Sequence, residues 1–158
     1  MKQVLAIILV VIAADPASAC ECIRVLTRPP AREDVLRDAS VAFVGWPVAV
    51  TCVEEGGQVV AFDYVFEVAE AWLPSKKRVT VRTSFSTCGY LFESDKRYLI
   101  IGSGDAPATV TRCSNTGPAK DATETLTLLG EPLRRFRRAS PPRSTVTVIP
   151  ACIDSHVR

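Results

Sequence analysis

Histidine is nearly missing from this chain, which has one, His156, among 158 residues. We interpret His156 as a solvated residue near the end of the chain, so that Ser-His or Cys-His catalysis lacks a base. There is no glycine-rich phosphate loop. The acidic side chains are typical of solvated strand and helix faces rather than of a catalytic pair: Glu54, Glu55, Asp63, Glu67, Glu70 and Asp121. We therefore do not expect an enzyme.

Strong charge and long apolar runs are also scarce. The net charge is +2, which is too small to indicate a nucleic-acid partner by itself. Beyond residue 14 the chain has no second long apolar segment, and a transmembrane helix needs about 20 such residues. We therefore expect the mature protein to be soluble and to bind no nucleic acid.

The first 19 residues carry the features of a signal peptide. Lys2 precedes an apolar run of 11 residues at positions 4–14, which is too short to span a bilayer. Ala17 and Ala19 form a cleavage site of the A-x-A type, which would make Cys20 the first residue of a secreted protein. The same segment also loosely resembles a bacterial lipoprotein box. In that alternative Cys20 is lipidated, and the protein is periplasmic or anchored by lipid.

Six cysteines follow the signal peptide: Cys20, Cys22, Cys52, Cys88, Cys113 and Cys152. An even number in an exported chain indicates three disulfides, although six cysteines allow 15 pairings and the count does not choose among them. A copper or zinc site built from the Cys20 and Cys22 thiolates is the less favoured alternative. Oxidised cysteines are not metal ligands, and the chain has no histidine cluster. We expect no cofactor of the protein's own.

Alternating apolar residues predict five strands, near residues 41–52, 58–72, 78–85, 98–101 and 108–113. Gly45 and Pro47 indicate a bulge or a strong bend in the first strand. A short helix is predicted near residues 33–39, and a second helix opens at residues 116–118 and ends at Gly130. This pattern is typical of a mainly β, five-stranded OB-fold-like barrel with one or two flanking helices, stapled by disulfides.

The sequence becomes basic after residue 132. We therefore divide the chain into a signal peptide (1–19), a β domain (20–132) and a basic connector with a C-terminal tail (133–158), where residues 145–149 predict a last strand. The basic side chains are interpreted as solvated, with binding to an anionic surface as the alternative: Arg134, Arg135, Arg137 and Arg138.

Five short motifs stand out along the chain. The mature chain would open with Cys20-Glu21-Cys22, and AFVG at 42–45, TCGY at 87–90, RYLIIG at 97–102 and TRCS at 111–114 follow it. These motifs, in this order, resemble those of the tissue inhibitors of metalloproteinases, whose members open with a Cys-x-Cys motif. The resemblance covers the inhibitory N-terminal domain, from Cys20 to about Gly130.

The resemblance implies an OB-fold and a disulfide pattern, Cys20 with Cys88 and Cys22 with Cys113. Cys52 and Cys152 then remain as a third pair, although Cys52 departs from the family's usual position. Two cysteines that are two residues apart lie on one face of an extended segment, so they can staple that segment to two neighbouring strands.

The resemblance also implies a function, that of a secreted, monomeric inhibitor of metalloproteases. The α-amino nitrogen and carbonyl oxygen of Cys20 would chelate the zinc that the protease supplies. Glu21 would enter the first specificity pocket, and Ser86 and Thr87 would form the adjacent contact ridge. Members of the family usually have a small or hydroxyl residue at the place of Glu21, a proline soon after the second cysteine, and a further C-terminal domain. The alternative is a non-inhibitory, netrin-like binding module that acts through its surface or basic tail.

A mature protein with a free Cys20 amine and one with a lipidated Cys20 differ in mass. We predict that the exported protein begins at Cys20 with an unmodified amine, because a small-x-small tripeptide precedes it. Intact-mass analysis of the secreted protein measures this directly. A mass that includes acyl chains, or cleavage at another residue, would contradict the prediction.

Overall fold

The computed structural model describes Cys20, Cys22 and residues 30–137. The predicted signal peptide, Glu21, Arg138, the strand at 145–149 and Cys152 lie outside the described residues. In chain order the elements are α1 (Arg32–Leu36), β1 (Val41–Glu55), β2 (Gln58–Ala71), β3 (Arg78–Ser84), β4 (Tyr98–Gly102), β5 (Ala108–Thr109), β6 (Gly117–Pro118), α2 (Thr123–Leu129) and β7 (Arg134–Arg135). The prediction of a mainly β fold with helices and disulfides is confirmed.

The described strands form one sheet in the order β5-β3-β2-β1-β4-β6, with β7 paired to the far end of β2. The sheet has seven strands rather than the predicted five, and its ladder is not closed. Neighbouring strands are antiparallel except β3 and β5, which are parallel. Just beyond β4, Ser103 and Thr109 exchange two backbone hydrogen bonds of 3.0 and 2.8 Å. This isolated bridge brings β5 close to the end of β4.

β1 is long and pairs with two partners. It runs along β2 from Phe43 to Glu55 and along β4 through its first five residues. Its pairing with β2 shifts register beside Gly45 and again after Pro47, which agrees with the predicted irregularity at these residues. Gly45 is required there, because a Cβ atom would lie 2.5 Å from the carbonyl oxygen of Glu67.

The inner face of β2 supplies most of the aromatic core. Phe62, Tyr64, Phe66 and Val68 alternate along the strand and are fully buried. The Phe92 ring packs edge-on against both Tyr64 and Phe66, with centroids 4.9 and 5.0 Å away. Each buried side chain of this kind contributes about 1.5–3 kcal/mol, so this row anchors the segment that leads from β3 to β4.

The outer face of β2 carries ion pairs, as expected for a solvated strand face. Asp63 accepts two hydrogen bonds of 2.7 Å from Arg82 on β3. Glu67 lies 3.4 Å from the Lys77 ammonium. These pairs are partly exposed and contribute little to stability.

A second apolar cluster lies on the other side of β1 and β4, under the two helices. Trp72, Leu99 and Leu129 are buried in it, and the Trp72 indole N–H donates to the Gly130 carbonyl at 2.8 Å. Helix α2 ends before Gly130 as predicted, but the predicted start is wrong. The helix begins only at Thr123, because Gly117–Pro118 pair with β4 as β6.

The basic segment after residue 132 begins as part of the sheet. Arg134 and Arg135 pair with Ala71 and Glu70 of β2, and Phe136 packs against the aromatic core. Across the described part of the chain, neither helix combines the length and the apolar character needed to cross a bilayer.

Because of its three tyrosines, the stability of the folded protein should depend on pH in the alkaline range. Burial raises the pKa values of Tyr64, Tyr90 and Tyr98 above the ordinary 10.0. The unfolded chain therefore releases these protons before the folded protein does. We predict that the free energy of unfolding, measured with urea, is fully retained below pH 10 and falls as the pH rises through the raised pKa values.

Tyr90→Phe should make that alkaline decline shallower, since one of the three shifted groups is removed. A free energy of unfolding that stays constant well above pH 10, or that rises there, would contradict the assignment.

Candidate functional site

Two disulfides meet at one place on the surface. Cys20 is bonded to Cys88 and Cys22 to Cys113, with Cα–Cα distances of 5.0 and 5.3 Å. This is the pairing that the sequence resemblance implied. The two bridges touch, since the sulfur atoms of Cys20 and Cys113 lie 3.8 Å apart. Cys52 is also disulfide-bonded, and the partner predicted for it lies outside the described residues.

The loop that carries Cys88 is held by tight backbone contacts. The amide of Gly89 donates to the carbonyl of Ser86 at 2.9 Å, and the amide of Tyr90 donates to the hydroxyl of the fully buried Thr83 at 2.6 Å. Gly89 is itself buried, and a Cβ atom at this position would overlap the carbonyl oxygen of Ser84. The loop therefore has little freedom to move the sulfur of Cys88.

The loop that carries Cys113 is built from hydroxyl groups. The Thr111 hydroxyl accepts from the Cys113 amide at 3.2 Å, and the Ser114 hydroxyl donates to the Thr111 carbonyl at 2.8 Å. Farther along, the buried Thr116 hydroxyl accepts from the amide of Ile101 at 3.0 Å. These bonds end the predicted strand 108–113 early, at Thr109, because residues 111–114 satisfy their polar groups within the loop.

Arg112 joins the two loops. Its amide donates to the Cys88 carbonyl at 3.1 Å, and its Nε donates to the Gly89 carbonyl at 3.2 Å. These bonds do not involve either disulfide. The two loops therefore form one hydrogen-bonded platform, to which the segment containing Cys20 and Cys22 is fastened at two points.

The surface around the disulfides is accessible. Cys22, Ser86 and Thr87 are exposed, whereas Cys20 is half-buried. The structure thus brings together four of the five predicted contact residues, and Glu21 lies outside the described residues. The Ser86 hydroxyl lies 2.7 Å from that of Ser84, which helps to order this edge of the loop.

Two exposed apolar side chains flank Cys88 and were missed by sequence reasoning. Phe85 is 55% exposed and Leu91 is 61% exposed. Phe85 follows Val81 and Thr83 at the spacing of inward-facing strand residues, so alternation favours burial. β3 ends at Ser84, however, and the Phe85 ring lies at the sheet edge, with its centroid 5.5 Å from that of Phe62. The sequence signal that could have predicted this exposure is a large aromatic residue at the end of a strand, three residues before a cysteine.

The predicted basic surface is partly described. Arg134, Arg135 and Arg137 are exposed. The Arg134 guanidinium lies over the Phe136 ring, 4.8 Å from its centroid, and Arg135 forms a 2.7 Å ion pair with Glu131. The charge of Arg135 is therefore partly offset by a neighbour.

No protein-family model matches this chain, and a comparison with curated proteins gives no match either. The family resemblance therefore depends on short sequence motifs alone. In the oxidised state the four sulfur atoms at this site are engaged in S–S bonds, so they are not available as thiolate ligands.

Gly89 offers a test of the platform. We predict that Gly89→Ala destabilises the oxidised protein by about 1–3 kcal/mol in urea unfolding, because the added methyl group displaces the backbone near Ser84. The matched control is Gly117→Ala, where the nearest atom to the new Cβ, the Tyr90 hydroxyl oxygen, is 3.9 Å away. Equal free energies of unfolding for the two variants would show that the loop is not constrained as described.

Proposed function

We propose that this protein is a secreted inhibitor of zinc metalloproteases that presents Cys20 to the protease zinc. One observation carries the proposal: Cys20 is bonded to Cys88 at a surface where Cys22, Ser86 and Thr87 are exposed. In this arrangement Cys20, Cys22 and the loop edge at Ser86 and Thr87 lie side by side. A protease cleft could accept all of them at once.

The chemistry of an N-terminal cysteine suits this role. A catalytic zinc ion keeps one coordination position for water or substrate. The α-amino nitrogen and the carbonyl oxygen of Cys20 can fill it as a five-membered chelate. An α-amino group has an ordinary pKa near 8, so the neutral, ligating form is accessible close to neutral pH. The target protease supplies the zinc.

The disulfide platform supports the proposal through preorganisation. Ordering a flexible terminus on binding costs about 0.5–1.5 kcal/mol for each immobilised side chain, besides the backbone entropy. Here Cys20 and Cys22 are already fastened to two loops, and Arg112 holds those loops together. Less entropy is then lost when the protease binds.

We further propose that the sheet is an OB-fold-like, partly open barrel. The order β4-β1-β2-β3-β5 and the parallel pairing of β3 with β5 support this. The bridge between Ser103 and Thr109 links the two ends of that series. Partly open, five-stranded barrels are characteristic of the OB-fold. The further strands β6 and β7 are two residues each and lie outside the five-strand series.

The decisive experiment compares two forms of the protein against a panel of zinc endopeptidases. One form begins at Cys20, and the other has a single alanine before it. The extension removes the α-amine from its position, so we predict a loss of inhibition of at least about 100-fold, since changes in the second shell of a zinc site alone cost 10–100-fold. Peptide mapping must find both disulfides in each form.

Two outcomes would oppose the proposal. Equal inhibition by the two forms would exclude zinc chelation by the amine. The netrin-like alternative would be favoured if the protein inhibits no member of the panel but binds a sulfated polyanion through its exposed arginines.

A further inference from the structure

Basic side chains from two distant parts of the chain line one edge of the sheet. β3 and β7 both pair with the same edge of β2, because β1 occupies the other edge. The Val68 amide donates to the Lys77 carbonyl at 2.9 Å, and at the next β2 position the Ala69 carbonyl accepts from the Phe136 amide at 2.8 Å. The start of β3 and the end of β7 are therefore neighbours. Their exposed cations form what we call the basic edge: Lys76, Lys77, Arg78, Arg134, Arg135 and Arg137.

Carboxylates offset only part of the charge of the basic edge. Glu67 lies 3.4 Å from the Lys77 ammonium, and Glu131 lies 2.7 Å from the Arg135 guanidinium. Asp105 lines a shallow hollow beside the start of β3. Within the described part of the chain, four members of the basic edge have no carboxylate at ion-pair distance: Lys76, Arg78, Arg134 and Arg137.

The basic edge thus concentrates a positive charge that the composition does not reveal. Six cations against these three carboxylates leave an excess of three positive charges, whereas the whole chain has a net charge of only +2. Glu70, the next acidic residue along β2, is paired with Arg97 at 3.3 Å. The basic strands pair across β2 positions 67–71, a span of about 13 Å. Since the Debye length is about 8–10 Å under physiological conditions, these charges act together on one partner.

An exposed apolar side chain adjoins the basic edge. Leu133 directly precedes Arg134 and is 66% exposed. A single exposed leucine is ordinary in a soluble protein. Beside a cluster of cations, however, it completes the combination found at membrane surfaces, where cations meet anionic headgroups and an apolar side chain enters the interface. A sulfated polysaccharide would use the charge but would gain little from Leu133.

We propose that the basic edge and Leu133 bind the surface of a membrane that contains anionic phospholipids. Lys76, Arg78 and Arg137 meet the lipid phosphates without giving up an ion pair to a described residue. β3 runs from Arg78 to Ser84, about 20 Å, and the loop that carries Cys88 follows its other end. The surface around the two disulfides therefore stays accessible when the basic edge lies on a membrane.

The test uses the full oxidised chain beginning at Cys20, with its mass checked, since an acyl chain would itself bind membranes. Sedimentation with vesicles measures binding. The vesicles contain either phosphatidylcholine alone or phosphatidylcholine mixed with phosphatidylglycerol. We expect binding to the mixed vesicles only, and we expect added salt to weaken it, because exposed charges are screened. Equal binding to both kinds of vesicle, or binding to neither, would overturn the proposal.

Variants locate the surface. Arg78→Ala with Arg137→Ala should weaken binding to the mixed vesicles about 30-fold, since each basic residue near an anionic membrane contributes about fivefold. Leu133→Ser should weaken it by at least about fivefold through loss of apolar contact. Arg78→Lys with Arg137→Lys keeps the charge and should bind as the parent does. The matched control, Arg32→Ala with Lys96→Ala, removes the same charge from α1 and from the segment before β4, and should bind nearly as the parent does.

Three outcomes with these variants would contradict the proposal. An equal loss in the matched control would show that net charge, rather than the basic edge, attracts the vesicles. Parent-like binding by Arg78→Ala with Arg137→Ala would exclude the basic edge. Parent-like vesicle binding by Leu133→Ser, with binding to a sulfated polysaccharide, would identify a soluble polyanion as the partner. An alanine placed before Cys20 should leave vesicle binding unchanged, so this surface and the proposed inhibition can fail independently.

Discussion

The contact between the Cys20–Cys88 and Cys22–Cys113 disulfides is the constraint on which the candidate site depends. The two bridges attach Cys20 and Cys22 to two loops of the sheet. The contact exists because two loops from different strand connections meet, and they meet through Arg112. A single residue that donates from both its backbone and its side chain therefore helps to fix where two half-cystines lie.

The core in turn determines where those loops begin. Phe92 packs against Tyr64 and Phe66, which fixes the chain just after the Cys88 loop. Thr116 is buried against Ile101, which fixes the chain just after the Cys113 loop. Both anchors are interior, whereas Ser86, Thr87 and Cys22 are exposed. A rigid interior that carries an accessible loop edge is the arrangement typical of binding surfaces.

The sequence predicts the local features well and the non-local ones poorly. Alternation predicts β1 to β4, and the register shift at Gly45 follows from a residue type that tolerates close backbone contact. The two-residue strands β6 and β7 leave no periodic signal, because their pairing depends on β4 and β2, which are distant in sequence. For the same reason the start of α2 was misplaced. The disulfide pairing came from the family resemblance, since six cysteines alone leave it open.

The contributions of the two disulfides to stability overlap, because each bridge shortens the loop that the other one closes. By itself, the Cys22–Cys113 bridge closes a span of 91 residues, worth about 4.6 kcal/mol in the chain-entropy model. Once Cys20 is bonded to Cys88, the shortest loop left for it is about 27 residues, worth about 3.6 kcal/mol. The Cys20–Cys88 bridge thus already removes part of the unfolded-chain entropy that the Cys22–Cys113 bridge would otherwise remove. Its distinct effect is on the folded state, where a second attachment two residues from Cys20 fixes the direction of the chain as well as its position. Under the proposed function, the backbone of Cys20 has to present two atoms to a metal ion, which requires both the position and the direction to be fixed.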